Sequence, residues 1–517
     1  MPKEVEQSSG IFMRELDTTL VPAERFFSLS QEKSQFSDPS PEGDFFEKIA
    51  EFAYGGLDKI FGRQSMMLSK KDVLIPQPYK RILEFLHGKG IVSRVHLNNE
   101  RFNDAPYFNI FTIYGKYDDI ITDGKKNIKP YGLVVLKDPK ELFSKALGEF
   151  LERYFTTIYK KKNLLAVSPR ELKRKNVPYL DLKNAGNLGF HFTDRHQRPW
   201  NEDDIFFWEK ATRLSTGETA RVPAQLVYWN YILSEDPPEP RLQESNTNGA
   251  GGMFTAEEAT LNALYELIQR DAFLVHWLLA ISPPKVDPDS VPDDAFQRIL
   301  KESRRYGFKM HCLNTTLDTG IPSFNVVLID ESKKGPSFAI GGGCEADPAK
   351  AIAHAAKEAW GIYYWMRWDG ALEKNFRLPD NYRPFADPMV DQKNRARLWS
   401  KPEMIKHGEF FFSGPAKKLR EYAFTYPINF ATKGGELKEA VSRVEALGPG
   451  YETYAVLVRH PILTKLGYHV ARVIVPKLVP LYLHENYAPV NAVRIQEIAR
   501  KIGRQNNNLN TIPHPFA

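Results

Sequence analysis

Cysteine is nearly absent. Cys312 and Cys344 are the only two in a chain of 517 residues, and neither lies in a CxxC pair or a Cys/His array with zinc spacing. A disulfide framework is therefore excluded, and a reducing cytoplasm is the expected setting. Long apolar runs are missing too. The longest, Phe273–Ile281, contains His276 and stops before Pro283, well short of the roughly 20 residues that a membrane helix needs. The opening stretch Met1–Asp17 lacks the basic-then-apolar pattern of a signal peptide. Charge of one sign is not in excess: 70 Lys and Arg against 64 Asp and Glu leave a net +6. That balance tolerates a phosphate-bearing ligand but does not describe a nucleic-acid binder. There is no Walker A sequence, no GxGxxG between a strand and a helix, and no GxSxG.

What is present is an ordinary folding composition, 42% hydrophobic and 26% charged, in a chain longer than one small domain. Residues 1–74 read as an N-terminal extension of unknown role, a polar arm followed by an amphipathic helix near Phe45–Phe61. Residues 75–517 read as a mixed α/β body. Strands are expected at Tyr107–Tyr114, Tyr131–Leu136, Ala224–Ile232, Lys309–Leu313, Phe324–Ile329, Phe338–Ile340, Tyr454–Val458, Val470–Val475 and Leu478–Leu483. Ser245–Gly252 reads as a Gly-rich loop, and Gly341–Gly343 as a shorter one. Three helices are expected, over Lys140–Tyr159, from the cap Thr255 to about Leu279, and from Asp347-Pro348 to about Trp368.

Those three helices share a pattern. Each reads x-Ala-x-x-Glu, with Glu149, Glu266 and Glu358 at spacings of 266 − 149 = 117 and 358 − 266 = 92. In the first two the run continues to Glu152-Arg153 and Gln269-Arg270. Residues three and four apart share a helix face, so each set forms one polar stripe. One explanation is solvent-facing salt bridges on two amphipathic helices. The other is convergence of acidic faces around Mg²⁺, a hard cation that takes carboxylate oxygens and brings phosphate with it. In that case an adjacent arginine pairs with a phosphate oxygen.

At these residues the chain resembles the YcaO family of ATP-dependent peptide-backbone cyclodehydratases. Pro139–Tyr154 resembles the family's first nucleotide helix, and Ser245–Trp277 its Ser-Asn-Gly…Glu-Ala…Glu-Leu-x-Glu-Arg-Asp-Ala block. Thr216–Tyr231, Val473–Tyr487 and the ending Pro513-His-Pro-Phe-Ala517 are similar to family segments as well, so the likeness runs over about 75–517. It implies a YcaO-like fold with a repeated acidic-helix ATP/Mg²⁺ site. Glu149, Glu152, Glu258, Glu266 and Gln269 would be the metal residues. Glu149, Arg153, Glu258, Glu266, Gln269, Arg270, Glu358 and Arg367 would hold the nucleotide. The proline-rich tail, Pro513 and Pro515, would fold back to serve the chemistry. Five positions depart from the family pattern. Lys145 replaces a serine, Gln269 replaces a glutamate, Gly361 and Tyr363 stand where Gln and Arg are usual, and Ala517 replaces a final proline. Arg367, one turn beyond Tyr363, is the candidate for the missing cation.

The resemblance implies a reaction in which a Cys, Ser or Thr side chain closes on the preceding backbone amide of a ribosomally made precursor peptide. The amide oxygen is phosphorylated by ATP, and an azoline ring results. A ThiF-like or similar leader-binding partner is expected, with no nucleic acid and no membrane, and a homodimer is permitted. The alternative is a catalytically reduced YcaO-like scaffold within a modification complex. Deleting the last five residues is expected to stop ring formation with little change in melting temperature.

Overall fold

The computed structural model describes residues 20–22, 77–98, 104–106, 108–115, 131–136, 139–185, 196, 198–332, 334–368, 376–378, 380–387, 390–504 and 508–516. The helix expected near Phe45–Phe61 lies outside them. The chain divides into two compact units. The first takes residues 1–102, 107–155 and 459–469, and the second takes 103–106, 156–458 and 470–517.

In the first unit, β1 (Leu20–Pro22), β2 (Val92–Asn98), β3 (Asn109–Gly115) and β4 (Tyr131–Leu136) form an antiparallel sheet in sequence order. Helix α1 (Pro139–Thr156) follows β4. Gly132 of β4 rests on this helix: a side chain there would come within 2.7 Å of Phe150 N and closer still to Ala146 O.

The second unit holds two sheets. Its strands are β5 (Leu165–Val167), β6 (Phe206–Arg213), β7 (Thr219–Pro223), β8 (Ala250–Met253), β9 (Lys285–Val286), β10 (Phe308–Asn314), β11 (Ser323–Asp330), β12 (Phe338–Cys344), β13 (Ala416–Lys417), β14 (Tyr454–Leu457) and β15 (His469–Ile474). Six of them make a sheet ordered β5-β6-β14-β15-β8 with β7 on β6, and five make a sheet ordered β12-β11-β10-β9-β13. Helix α2 (Ala256–Leu278) touches β8 of the first sheet and β11 and β12 of the second. It is apolar almost all round and buried along most of its length, as a helix enclosed by neighbours must be. Helix α3 (Pro348–Trp368) lies along β12.

The alanines of the sequence repeat are explained here. Gly251 of β8 lies over Ala259 and Ala263 of α2, and Gly341 and Gly343 of β12 lie over Ala351, Ala355 and Ala359 of α3. A Cβ on any of these glycines would meet helix backbone, so strand and helix touch with no side chain between them. The same contact joins Gly132 to Ala146 in the first unit. The Ala of x-Ala-x-x-Glu is thus the small residue beneath a strand glycine, and the Glu follows one turn later.

Three expectations are corrected. Gly341–Gly343 is not a loop but the end of β12, paired throughout with β11. Ala224–Ile232 is not a strand. The chain leaves β7 at Pro223, makes one helical turn at Ala224–Val227, and turns Gln225 inward to bond Pro240 O and Leu242 N at 2.9 and 2.8 Å. Leu478–Leu483 joins no sheet among the described residues, because side chains serve its backbone. Asp271 accepts from Val479 N, Asn246 and Asn248 donate to Leu481 O, Arg395 donates to Tyr482 O, and Glu244 accepts from Leu483 N. These partners lie far away in sequence, so local propensity cannot register them.

Candidate functional site

Helix α2 starts where Thr255 accepts from Glu258 N at 3.2 Å, and Glu258 in turn accepts from the Thr255 hydroxyl at 2.9 Å. Glu258 is therefore engaged in the cap. It precedes Glu266 by two turns, about 12 Å along the axis.

At Glu266 the helix meets the chain entering β8. Glu266 Oε2 accepts from Gly249 N at 2.6 Å, and Oε1 pairs with Arg270 at 2.6 Å. Arg270 also donates to Asn248 Oδ1 at 2.5 Å, and Asn248 donates to Leu481 O at 2.7 Å. Burial pushes the Glu266 carboxyl upward, while Arg270, the Gly249 amide and Arg472 oppose that shift, in that order. On α3 the equivalent Glu358 does the same thing: its Oε2 accepts from Gly342 N at 2.5 Å. Glu358 is close enough to Glu266 to act on its ionisation. Two carboxylates from two helices are thus each anchored to a glycine amide, Gly249 just before β8 and Gly342 within β12.

Gln269 links the two halves. It is 6% exposed and lies across Gly342, whose missing side chain makes the room it occupies. Its Nε2 is buried with no hydrogen-bond partner among the described residues. An unpaired buried amide is costly, and the cost falls when a ligand supplies an acceptor.

The other candidates lie apart from this centre or in the first unit. Arg367 is held by Asp104 at 2.7 Å and by the Tyr363 hydroxyl at 2.9 Å. It sits nine residues beyond Glu358, about 13 Å along the helix. In the first unit, Arg153 pairs with Glu149 at 2.7 Å, and Lys145 pairs with Glu141 at 3.3 Å. Glu152 adds to the burial that raises the Tyr468 phenol. The intrahelical pairs of the salt-bridge reading therefore exist on both helices. On α2 the pair is mostly buried, with side chains 17% and 26% exposed, rather than solvent-facing.

The tail is a buried element. Residues 513–516 are all buried, and Phe516 is 2% exposed. Asn510 N donates to Leu278 O at 2.7 Å, Trp277 Nε1 to Ile512 O at 3.1 Å and Trp399 Nε1 to Pro513 O at 2.9 Å. Phe516 packs on Phe273, with ring centres 5.0 Å apart. Phe273 is two turns past Glu266, so the segment holding Pro513 and Pro515 docks, through Ile512, His514 and Phe516, on the helix that carries the central carboxylate. The expectation of little stability change on deletion is not supported by this packing, because removing Pro513–Ala517 exposes Phe273 and leaves the Trp399 indole N–H without its acceptor.

Sequence reasoning missed Asn248, Gly249 and Gly342. Their signal was an asparagine and two glycines in or beside a strand, and it reads equally as turn chemistry.

A family model described as YcaO cyclodehydratase, ATP- and Mg²⁺-binding, matches residues 144–479, well over half of the chain. The chain belongs to the YcaO family. A heterocyclase solved in complex with substrate and cofactor superposes with a TM-score of 0.64 at 19% identity, over 85% of this chain and 57% of that one. YcaO from Methanopyrus kandleri, solved with AMPPCP and Mg²⁺, gives a TM-score of 0.55 at 16% identity, over 80% of this chain and 94% of that one. At these identities the likeness establishes the fold. An uncharacterized protein of Methanothermobacter thermautotrophicus is 32% identical over 158 residues, 29% of this chain. The chain spans 39% and 37% of the lengths of the two curated relatives it matches.

The YcaO family binds ATP and Mg²⁺. Among the described residues no three His, Cys, Asp or Glu side chains gather as a ready metal cage. The donor chemistry nevertheless fits Mg²⁺, which is usually held by one or two carboxylates with phosphate and water completing the shell. Glu266 and Glu358 are two such carboxylates. Among the described residues no helix is long and apolar enough to cross a membrane.

Proposed function

We propose that this YcaO protein is an ATP-dependent cyclodehydratase that closes Cys, Ser or Thr side chains of a ribosomally made peptide onto the preceding backbone amide, giving thiazoline or oxazoline rings. The observation that carries this reading is the pair Glu266 and Glu358, set on equivalent helices and each fixed by a glycine backbone amide. When bound, ATP with Mg²⁺ supplies the phosphoryl group that turns the amide oxygen into a leaving group. The chain's own residues prepare for it. Gly249 and Gly342 each occupy one oxygen of a carboxylate and aim it without side-chain freedom. Arg270, held between Glu266 and Asn248, is a pre-set cation for phosphate oxygens. Gln269 offers an amide N–H₂ where a third carboxylate would add charge. Glu149, Glu152 and Arg153 take the same roles by the repeat, and the docked Pro513–Pro515 segment serves the ring-forming step. A leader-binding, ThiF-like or similar partner delivers the precursor.

The second reading, a catalytically reduced scaffold subunit, is favoured by Arg367, whose guanidinium is committed to Asp104 and Tyr363. Measuring Mg·ATP hydrolysis with and without precursor and partner separates the two, with mass spectrometry scoring loss of one water per ring. Turnover with water loss supports the cyclodehydratase. A stable complex that neither binds nor hydrolyses ATP supports the scaffold.

A further inference from the structure

Arg395 belongs to α4 (Gln392–Trp399) and is 1% exposed, yet among the described residues no carboxylate lies within ion-pair distance of it. A buried guanidinium without an anion needs compensating hydrogen bonds. Arg395 finds them on the tail and its neighbour. Both Nη1 and Nη2 donate to Tyr482 O at 3.1 Å, Nη1 lies 2.6 Å from His514 Nε2, and the guanidinium stands 5.5 Å from the centre of the Tyr482 ring. A guanidinium has donors only, so His514 Nε2 must be the acceptor. The imidazole is then neutral with its proton on Nδ1, and Tyr482 O, 3.0 Å from the same nitrogen, receives nothing from it. His514 is fully buried, with Phe273 and Tyr482 edge-on at 5.8 and 4.5 Å.

We propose that Arg395 is a positioning residue: by donating to neutral His514 it latches the C-terminal tail onto α2, two turns past Glu266, and so sets up the ring-forming step rather than nucleotide binding. The proposal rests on the cyclodehydratase reading for the step served, but the latch itself is a property of the tail.

The latch implies a pH dependence. The charged and titratable groups around His514 and Arg395 are Glu485, Glu244, Asp391, His484 and the phenols of Tyr482 and Tyr382. Burial first, then Arg395, holds the His514 imidazole well below its usual range, with the Tyr482 and Phe516 backbones opposing. The docked tail therefore binds no proton at His514, while the released tail does once the pH is below about 6.5. Docking weakens as pH falls, by about tenfold per unit until the docked value is reached. Glu485, pushed up to about 7 by burial, acts with the opposite sign. A His514→Gln variant keeps that contribution and keeps an acceptor for Arg395, but cannot titrate.

The test is hydrogen exchange of residues 510–516 in the full chain, corrected for intrinsic rates. Asn510, Thr511, Ile512, His514 and Phe516 carry the exchanging amides, since Pro513 and Pro515 have none. From pH 5.5 to 4.5 the tail-opening constant should rise about tenfold more in wild type than in His514→Gln. Arg395→Lys, which cannot span both acceptors, should open the tail at neutral pH while the Kd for Mg·ATP stays within twofold. Parallel pH slopes in wild type and His514→Gln overturn the latch, as does a fully protected tail in Arg395→Lys. A tenfold loss of Mg·ATP affinity on tail release overturns the assignment to the ring-forming step. Failure of the wild type itself to bind Mg·ATP counts against the cyclodehydratase reading and leaves the exchange comparison intact.

Discussion

Replacing Gly342 by Ala should disturb the candidate site through one identifiable side chain. The new Cβ would lie 2.9 Å from Gln269 Cγ and closer still to its Cδ and Nε2. The three nearest atoms all belong to the Gln269 side chain, so Gln269 takes the closest clash. Gln269 is buried between α2 and β12, and displacing it costs the usual price of overpacking, about 1–3 kcal/mol. The same displacement strains Gly342 N against Glu358 and weakens Mg·ATP binding. Truncating the obstacle with Gln269→Ala should restore stability in the double variant, so that a double-mutant cycle shows a coupling of about 1–3 kcal/mol. Gly341→Ala is the control. Its Cβ would sit 2.8 Å from the Glu358 carbonyl carbon and closer to Ala355 O and Ala359 N, all helix backbone. No side-chain deletion relieves that clash, so this variant should be the least stable of the set. Urea denaturation gives the stabilities and calorimetry the Mg·ATP affinities. Wild-type stability for Gly342→Ala, or no recovery on adding Gln269→Ala, refutes the packing on which the site geometry depends.

Three further outcomes follow from the contacts. Glu266→Gln keeps volume and can still accept from Gly249 N, so the fold should persist while Mg·ATP turnover falls by tenfold or more; unchanged turnover removes Glu266 from the site. Trp399→Phe deletes one donor to the tail and should cost about 0.5–1.5 kcal/mol, with faster exchange of the tail amides, and deleting Pro513–Ala517 should lower both the melting temperature and ring formation. Glu239 is fully buried, accepts from Tyr231 and Gln225, and is pushed up to about 7 by burial. Its folded pKa exceeds its unfolded one, so its folded state takes up a proton below about pH 7 and stability is lost as pH rises from about 4.5 to 7. Glu239→Gln should flatten the stability profile over that window, and an identical profile would show that Glu239 does not titrate there.

The repeat of Ala and Glu in three helices was legible because helical spacing is local. So were most strands and the Thr255 cap. The tail's role came from family likeness, and its burial explains why that likeness extends to the last residues. What the sequence could not reveal depended on partners far along the chain. The extended run at Leu478–Leu483 looks like a strand, and only Asn246, Asn248, Glu244, Asp271 and Arg395 keep it out of a sheet. Arg367 looks like a cation one turn from a gap in the pattern, and only Asp104, more than 250 residues away, reveals that it is engaged. Gly341–Gly343 looks like a loop because glycine is rare in strands, and the reason for it lies on α3.

The glycine-on-alanine contacts have a consequence for how such a site can change. Where side chains separate a helix from a sheet, substitutions in the layer between can slide or tilt the helix and move the groups it carries. Here that layer does not exist at Gly251, Gly341 or Gly343, and the depth of each glutamate is set by the thickness of two backbones. Gradual repacking therefore has nothing to act on. Change is channelled into exchanges of the polar residues themselves, and Gln269, seated in the space that Gly342 leaves, is a position where such an exchange can occur.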